Sequence, residues 1–485
     1  MQTLTRRNFI KATSLGAVGM TLPHWLLADA PSKTKLNFVF LLVDDLGWRD
    51  LGCYGSTFYE TPNIDRLATQ GVRFTDAYAA CPVCSPTRAS IMTGKYPAAI
   101  GITDWIPGFD MSNQKLLTPG NQFDYLPLAE VTMAEAFKTA GYSTFFAGKW
   151  HLGGDGYLPE DQGFDVNIGG HRWGVPPGGY FSPYGNSKLR DGPEGEFLTD
   201  RLTDESLKFL DAHKNMPFLL FLSYYTVHGP FQSKPEYRVQ YEIKAEDLPP
   251  ANGPPFVPEG KVKARRVQDH AVYAGMIQSL DESVGRLMAK LDQLQLAEHT
   301  VVIFVSDNGG LSTAEGSPTS NFPLRAGKGW LYEGGIRVPM IIKWPGVTRA
   351  ASLCSEPVIS TDFYPTMLEM AGLPLMPSQH RHGASLVPLL KDGKSLGRQE
   401  IFWHYPHYNR KGDTPAGAVR AGDYKLIEFY EDNRTELYNL KTDRSETHDL
   451  GARMPGKTKE LQNTLHRWRR QVGGRMPKPN PDYRN

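Results

Sequence analysis

The sequence of 485 residues is poor in cysteine. Its four, Cys53, Cys81, Cys84 and Cys354, are too few to staple a chain of this length, so any important cysteine must matter for its chemistry. It also lacks an excess of either charge: 53 Lys and Arg stand against 52 Asp and Glu. A net of +1 largely excludes a nucleic-acid partner recognised through bulk charge. There is no internal repeat, and beyond the first thirty residues no run is apolar enough to cross a bilayer. With 48 Gly and 37 Pro the chain is loop-rich yet short of a disordered composition. Its length suits one large α/β domain with an appendage, burying an unaided hydrophobic core.

Residues 1–30 read as an export leader: Arg6-Arg7-Asn8-Phe9-Ile10-Lys11, a mild apolar stretch over 12–27, then Ala28-Asp29-Ala30. The pattern resembles a bacterial twin-arginine leader with cleavage after Ala30. Pro23 and His24 interrupt the apolar stretch, which falls short of the roughly 20 residues of a membrane span, so no stable anchor is expected. The leader implies the twin-arginine machinery as a partner and a periplasmic or secreted bacterial protein. Its removal takes Arg6, Arg7, Lys11 and Asp29, shifting the net charge from +1 to −1.

Short apolar runs at 36–43, 143–147, 218–225, 301–305 and 340–343 have the look of strands covered on both faces. Helical patterns lie between them, at 63–70, 132–140, 203–213 and 271–294. This alternation predicts an α/β fold with a largely parallel sheet sandwiched by helices. The Pro-rich stretch 230–260 is expected to be a surface excursion. A helix at 361–372 and prolines at 374–377 close this body, giving domains of 31–377 and 378–485. The second is expected to be a smaller α+β unit, with a hairpin over 418–428 and 435–440 and a final helix over 457–470.

Open α/β sheets bind ligands outside the carboxyl ends of their strands. Four polar clusters fall there: Asp44-Asp45, Lys149 with His151, His228, and Asp307-Asn308. Asp44, Asp45, Asp307 and Asn308 offer oxygen alone, which suits a hard cation such as Ca²⁺ or Mg²⁺ rather than zinc. A fifth cluster runs Cys81-Pro82-Val83-Cys84-Ser85-Pro86-Thr87-Arg88 to Gly94. Ser85 reads as the cap, Pro86 as the first helical residue and Gly94 as the end of a helix, placing Cys84 at an anion-attracting N-terminus with Arg88 pointing back at it. The same cysteines could form a redox pair, half a zinc site or a disulfide; no second Cys pair supports zinc.

Cys84-Ser85-Pro86-Thr87-Arg88, with Val43-Asp44-Asp45, Gly148-Lys149-Trp150-His151, Ser306-Asp307-Asn308-Gly309-Gly310, Gly327-Lys328-Gly329 and Glu333-Gly334-Gly335-Ile336-Arg337, resembles the formylglycine-dependent type I sulfatases of the alkaline phosphatase superfamily. The resemblance runs from about residue 37 to 450 and implies an alkaline-phosphatase-like fold. It implies that a formylglycine-generating maturation enzyme converts Cys84 to Cα-formylglycine. The hydrate of that aldehyde is the nucleophile, and a sulfated gem-diol can expel sulfate by eliminating to the aldehyde. It further implies one Ca²⁺ on Asp44, Asp45, Asp307, Asn308 and the modified Cys84, with Arg88, Lys149 and Lys328 around the sulfate. His151 is then the base that drives sulfate release, and His228 the leaving-group acid, shared with Lys328.

The leaving-group pocket lies outside these motifs. Candidate walls are Thr103-Asp104-Trp105, His171-Arg172-Trp173 with Tyr180 and Tyr184, and the run Trp403-His404-Tyr405-Pro406-His407-Tyr408. Of these Trp105, His171, Arg172, Trp173, His404 and His407 are the expected substrate contacts, since aromatic faces and His or Arg tips suit a sugar. A sulfated carbohydrate is therefore the expected substrate. Aryl sulfates, a phosphate or phosphonate monoester, and a non-catalytic sulfatase-like binding protein are the alternatives.

Overall fold

The computed structural model describes residues 35–108, 113–250, 253–314 and 316–484; the leader lies outside the described residues. The Val-, Phe- and Leu-rich runs form the strands β1 (Asn37–Val43), β2 (Val72–Phe74), β3 (Ser143–Gly148), β4 (Val166–Ile168), β5 (Phe218–Ser223), β6 (Thr300–Ser306), β7 (Met340–Lys343) and β8 (Ser352–Cys354). They build one sheet in the order β8-β2-β7-β6-β1-β5-β3-β4. The strands β6, β1, β5, β3 and β4 run parallel, whereas β7 is antiparallel to both β6 and β2. The sheet is thus mixed at one side and parallel where the polar clusters fall.

Alternation along β1 explains why helices cover both faces. Val39, Leu41 and Val43 join a core with α1 (Pro62–Gln70), α4 (Leu198–His213) and α6 (Ala271–Gln293). Phe38, Phe40 and Leu42 join another with α2 (Cys84–Thr93), α3 (Met133–Thr139) and α7 (Phe363–Met370). The stretch 230–260 is more ordered than expected: it holds α5 (Pro235–Glu246) and the strand Phe256–Glu259, paired with Val262–Arg265.

The C-terminal sheet has four antiparallel strands, β9 (Glu400–Tyr405), β10 (Ala416–Ala421), β11 (Tyr424–Phe429) and β12 (Thr435–Asn439), covered by α8 (Pro455–Gln471). The expected hairpin arm 418–428 is itself a tight hairpin, turning at Gly422 with φ +57°. Gly422-Asp423, two residues depleted in strands, is the signal of that turn in the sequence. The run 403–408 is not the pocket wall its aromatics suggest: Trp403 and Tyr405 pack in a core shared with Tyr78, Val83 and Trp330 of the main body.

Beside that seam lies a buried network of ions. Lys425 Nζ stands 2.9 Å from both Glu333 and Glu446, Arg337 is 2.7 Å from Glu333 and 2.8 Å from Asp76, and Arg420 is 2.7 Å from Asp76. Burial alone would raise the Glu333 carboxyl, but Lys425 and Arg337 hold it at about 2. Three acids and three bases balance, so removing one member strands another in low dielectric. Lys425→Met is expected to lower stability by about 3–5 kcal/mol, read as a shift of the urea midpoint. A change below about 1 kcal/mol would show that the network is not a clasp.

Candidate active site

The register of the sheet sets the site. Val43 pairs with Ser306, Leu42 with Ser223 and Gly148 with Ser223, so the central parallel strands end level with one another. Only glycine fits at 148: its φ is +97°, and a Cβ there would lie 1.9 Å from the Ser223 carbonyl oxygen. Neighbouring residues on a strand face opposite ways, so the polar pairs converge only because the chain turns as each strand ends. Asp45 has φ +62° and His151 φ +58°, left-handed conformations that non-glycine residues adopt at a cost.

Arg88, one turn into α2, is buried to 2% exposure and ties those strand ends together. Its Nε and Nη2 stand 2.9 and 2.7 Å from Asp307 Oδ2, while Nη1 donates to the Lys149 carbonyl at 2.7 Å and to Ser223 Oγ at 2.6 Å. Lys149 Nζ donates to Asp44 Oδ2 at 2.6 Å, and Lys328 Nζ to Asp45 Oδ2 at 2.8 Å. Asn308 Nδ2 donates to Asp45 Oδ1 at 2.8 Å. Ser223 has no place among the expected site residues; its only signal in the sequence is its position at the end of an apolar run.

The helix begins two residues earlier than its sequence implies. Cys84 is its first residue and Val83 its cap, with no side-chain capping bond, while Gly94 closes it at φ +67°. Ser85 is engaged elsewhere, for its Oγ accepts the Ile106 amide at 3.1 Å and so tethers the loop 103–107 beside Cys84. Cys84 Sγ lies in two groups whose ligand atoms are all within 4.8 Å of one another, one with Asp44 and Asp307, one with Asp45 and His228.

Burial governs the protonation of these groups. It pushes the Cys84 thiol up against the pull of Lys149 and Lys328, and pushes Cys81 well above the ordinary thiol range. A redox pair needs the opposite shift. Cys81 also points at the Thr103 carbonyl, 3.9 Å away, and stays off the cavity wall, and all four cysteines are free thiols. Burial raises Asp44 to about 8 even against Lys149, whereas Lys328 and His228 overcome burial to hold Asp45 below the usual carboxylate range.

The residues present fit a hard cation. Asp44 Oδ1 and Asn308 Oδ1 are buried and accept no hydrogen bond among the described residues, and the nearby donors are carboxylate and amide oxygens. A divalent ion among Asp44, Asp45, Asp307 and Asn308 would satisfy both orphans and return Asp44 to its ionised form.

Both histidines face this cluster in defined tautomers. His151 Nε2 lies 2.7 Å from the Ile106 carbonyl oxygen; a carbonyl carries no proton, so Nε2 is the N–H and buried Nδ1 keeps a free lone pair. His228 Nδ1 likewise donates to the Gly229 carbonyl at 2.8 Å, leaving Nε2 3.6 Å from Asp45 Oδ2. Burial holds both rings neutral, reinforced at His151 by Lys149 and at His228 by Lys328.

These groups open onto a cavity of about 750 Å³ lined by Cys84, His151, His228 and Lys328 at one end and by Trp105, Ile106, Asp124, Arg172, Trp173, Val175 and Lys411 around it. Arg172 lies 4.3 Å from the Trp173 ring centroid. Of the expected substrate contacts the structure brings Trp105, Arg172 and Trp173 to the cavity and leaves three away from it. His171 stacks on Trp173 behind the wall. His404 has both ring nitrogens engaged, by Tyr430 Oη and the Arg475 carbonyl, and buried His407 lies 2.9 Å from Thr103 Oγ1. Tyr180 and Tyr184 are core residues, not walls: Tyr180 Oη donates to the Tyr225 carbonyl and Tyr184 Oη to Glu196. The aromatic composition of these segments could not tell a rim from a seam.

Comparison with known proteins identifies the class. Residues 36–373 match the Sulfatase family, and residues 326–472 match the family described as N-sulphoglucosamine sulphohydrolase, C-terminal. The chain belongs to the sulfatase family and is a sulfuric ester hydrolase of the alkaline phosphatase superfamily. It is 33% identical to a sulfatase of Formosa agariphila, covering 91% of both chains, and 32% identical to human arylsulfatase A, covering 88% of this chain and 86% of that one. Among crystal structures it resembles Ps i-CgsB in complex with k-i-k-neocarrahexaose, at a TM-score of 0.72 and 30% identity, over 91% of this chain and 95% of that one. A phosphonate monoester hydrolase of Agrobacterium radiobacter shares the fold, at a TM-score of 0.63 and 20% identity over 90% and 96%.

Gly174 passes directly over the His151 ring, where an added Cβ would lie 2.5 Å from Cε1. The Gly174→Ala variant is expected to keep its melting temperature within a few degrees while kcat falls by about tenfold or more, because the imidazole must move. An unchanged kcat would mean that the ring's position is not critical.

Proposed function

We propose that this sulfatase hydrolyses sulfate monoesters on a sulfated saccharide or polysaccharide, using a formylglycine made from Cys84 and one Ca²⁺ held by Asp44, Asp45, Asp307, Asn308 and the side chain at 84. The observation that carries the reading is the placement of Cys84: first residue of a helix, with carboxylates of Asp44 and Asp307 within 4.8 Å, facing the cavity that His151, His228 and Lys328 line. Formylglycine supplies an oxygen nucleophile that a protonated thiol does not. A cation held there would lower the pKa of that oxygen and offset charge on the sulfate.

The chain's own residues do the rest. Lys149 and Lys328 present fixed ammonium groups to the sulfate oxygens, and Arg88, locked by Asp307, holds the nucleophile's side of the site with no reorganisation left to perform. His151 Nδ1, the free lone pair, takes the proton whose loss drives sulfate release. His228 Nε2 takes up a proton once the arriving sulfate counters the Lys328 charge that adds to burial in keeping the ring neutral, and with Lys328 gives it to the leaving oxygen. Three bases against three acids and one dication leave a mildly positive pocket, which suits a sulfate monoanion better than a phosphate dianion.

The rim favours a sugar. Trp105 and Trp173 offer flat faces, Arg172 and Lys411 charged tips. The N-acetylgalactosamine-6-sulfatase of Mus musculus, 30% identical over 88% of this chain, and the complex of Ps i-CgsB with k-i-k-neocarrahexaose support a saccharide. His171, whose ring backs Trp173, belongs to this rim indirectly. With this function go a leader at 1–30 taken by the twin-arginine machinery, export to the periplasm or medium, a maturation enzyme acting on Cys84, a catalytic domain over 31–377 and a C-terminal one over 378–485.

Active protein from its native host is expected to carry a residue-84 peptide lighter by about 18 Da than the encoded cysteine requires. Cys84→Ala abolishes turnover of sulfated oligosaccharides and Cys81→Ser retains it. Full activity with an unmodified Cys84 would overturn the mechanism.

A further inference from the structure

The loop Thr103–Pro107 belongs to no helix or strand, yet its Ile106 carbonyl sets the tautomer of His151 and its Trp105 ring walls the cavity. Its position must come from side chains that grip it. Two sets do so. From within the main body, Asn121 Oδ1 accepts the Thr103 and Asp104 amides at 2.9 and 2.8 Å. From the C-terminal unit, Tyr405 Oη donates to Asp104 Oδ1 at 3.1 Å, and His407 Nε2 lies 2.9 Å from Thr103 Oγ1, with Nδ1 3.9 Å from Asp104 Oδ2. Asp104 Oδ1 also accepts the Trp105 amide at 2.9 Å, so the carboxylate that Tyr405 holds is the one that shapes the turn into Trp105 and Ile106. Thr103, Asp104, Tyr405 and His407 are all buried, so water cannot replace a lost partner.

We infer that Tyr405 and His407 are positioning residues: by clamping Asp104 and Thr103 they place the Ile106 carbonyl that keeps His151 with its proton on Nε2 and its lone pair on Nδ1. The C-terminal unit thereby sets the protonation geometry of a base it never touches. This rests on the reading of His151 as the base. The physical reason is the sharpness of the last link. A displacement of the loop by about 1 Å breaks a 2.7 Å hydrogen bond, and the ring, otherwise unpartnered at Nδ1, is then free to carry its proton on either nitrogen. The Ser85 tether on the Ile106 amide, 3.1 Å, holds the preceding peptide group and not the one that carries the Ile106 carbonyl. His407 thus serves the site through Thr103 and Asp104 rather than as the substrate contact expected of it.

The test uses the mature full-length enzyme labelled with ¹⁵N-histidine, the His151 ring signals being assigned by their loss in His151→Gln. The wild type is expected to show an Nε2–H tautomer with Nδ1 unprotonated. In the Tyr405→Phe/His407→Leu double variant those signals move towards a tautomer mixture, kcat on a sulfated oligosaccharide falls about tenfold or more, and KM changes less than about twofold. Restoring a donor at the Nε2 position with His407→Gln in an otherwise wild-type chain brings both back towards normal. A double variant that keeps the single Nε2–H tautomer and a kcat within about twofold of wild type overturns the inference, even if its melting temperature drops. Should the double variant not fold, Tyr405→Phe and Thr103→Val each remove a single hydrogen-bonding oxygen and decide the matter by the same two readouts. The base assignment fails separately, if His151→Gln retains wild-type kcat.

Discussion

Everything at the centre of this enzyme depends on one buried guanidinium. Arg88 reaches from the first turn of its helix to the ends of three different strands, binding Asp307 after β6, the Lys149 carbonyl after β3 and Ser223 at the end of β5. A planar fork with several fixed donors can satisfy all three at once, where a lysine could not. The strands end level because their register makes them, but Arg88 is what converts level ends into a fixed constellation. Its cost is electrostatic: a charge buried at 2% exposure must be compensated, and Asp307 with Asp44 does that.

That compensation leaves no positive charge to spare, for three bases meet three acids. Lys149 shares Asp44 with Arg88 and Lys328 takes Asp45, yet burial still pushes Asp44 up to about 8, and two oxygens of the cluster accept nothing among the described residues. The protein has gathered more lone pairs than donors in one dry place. A hard cation would resolve both facts, and under the proposed function the same balance, mildly positive once the ion is counted, favours a singly charged ester.

The sequence carried the chemistry better than the surroundings. Asp44, Lys149, His228 and Asp307 could be placed together because each follows an apolar run, and such runs in an α/β chain end at one edge. The resemblance to sulfatases then joined them to Cys84 and Arg88. What escaped is tertiary. The start of the helix at Cys84 depends on Ser85 being drawn away to the Ile106 amide, a contact across 21 residues. Gly174 is an ordinary loop glycine until its distance to His151 is known. His404 and His407 stand in an aromatic run whose two uses, rim or seam, share one composition. Only packing tells that this strand faces Tyr78 and Trp330.

Whether the four strand ends are assembled around a cation is decided by a calorimetric titration of the matured, chelator-stripped protein with Ca²⁺. One site per chain is expected, lost in Asn308→Leu, which removes an orphaned oxygen and leaves every carboxylate and Arg88 in place. No saturable binding, or binding unchanged in Asn308→Leu, would contradict an ion at the centre of the site.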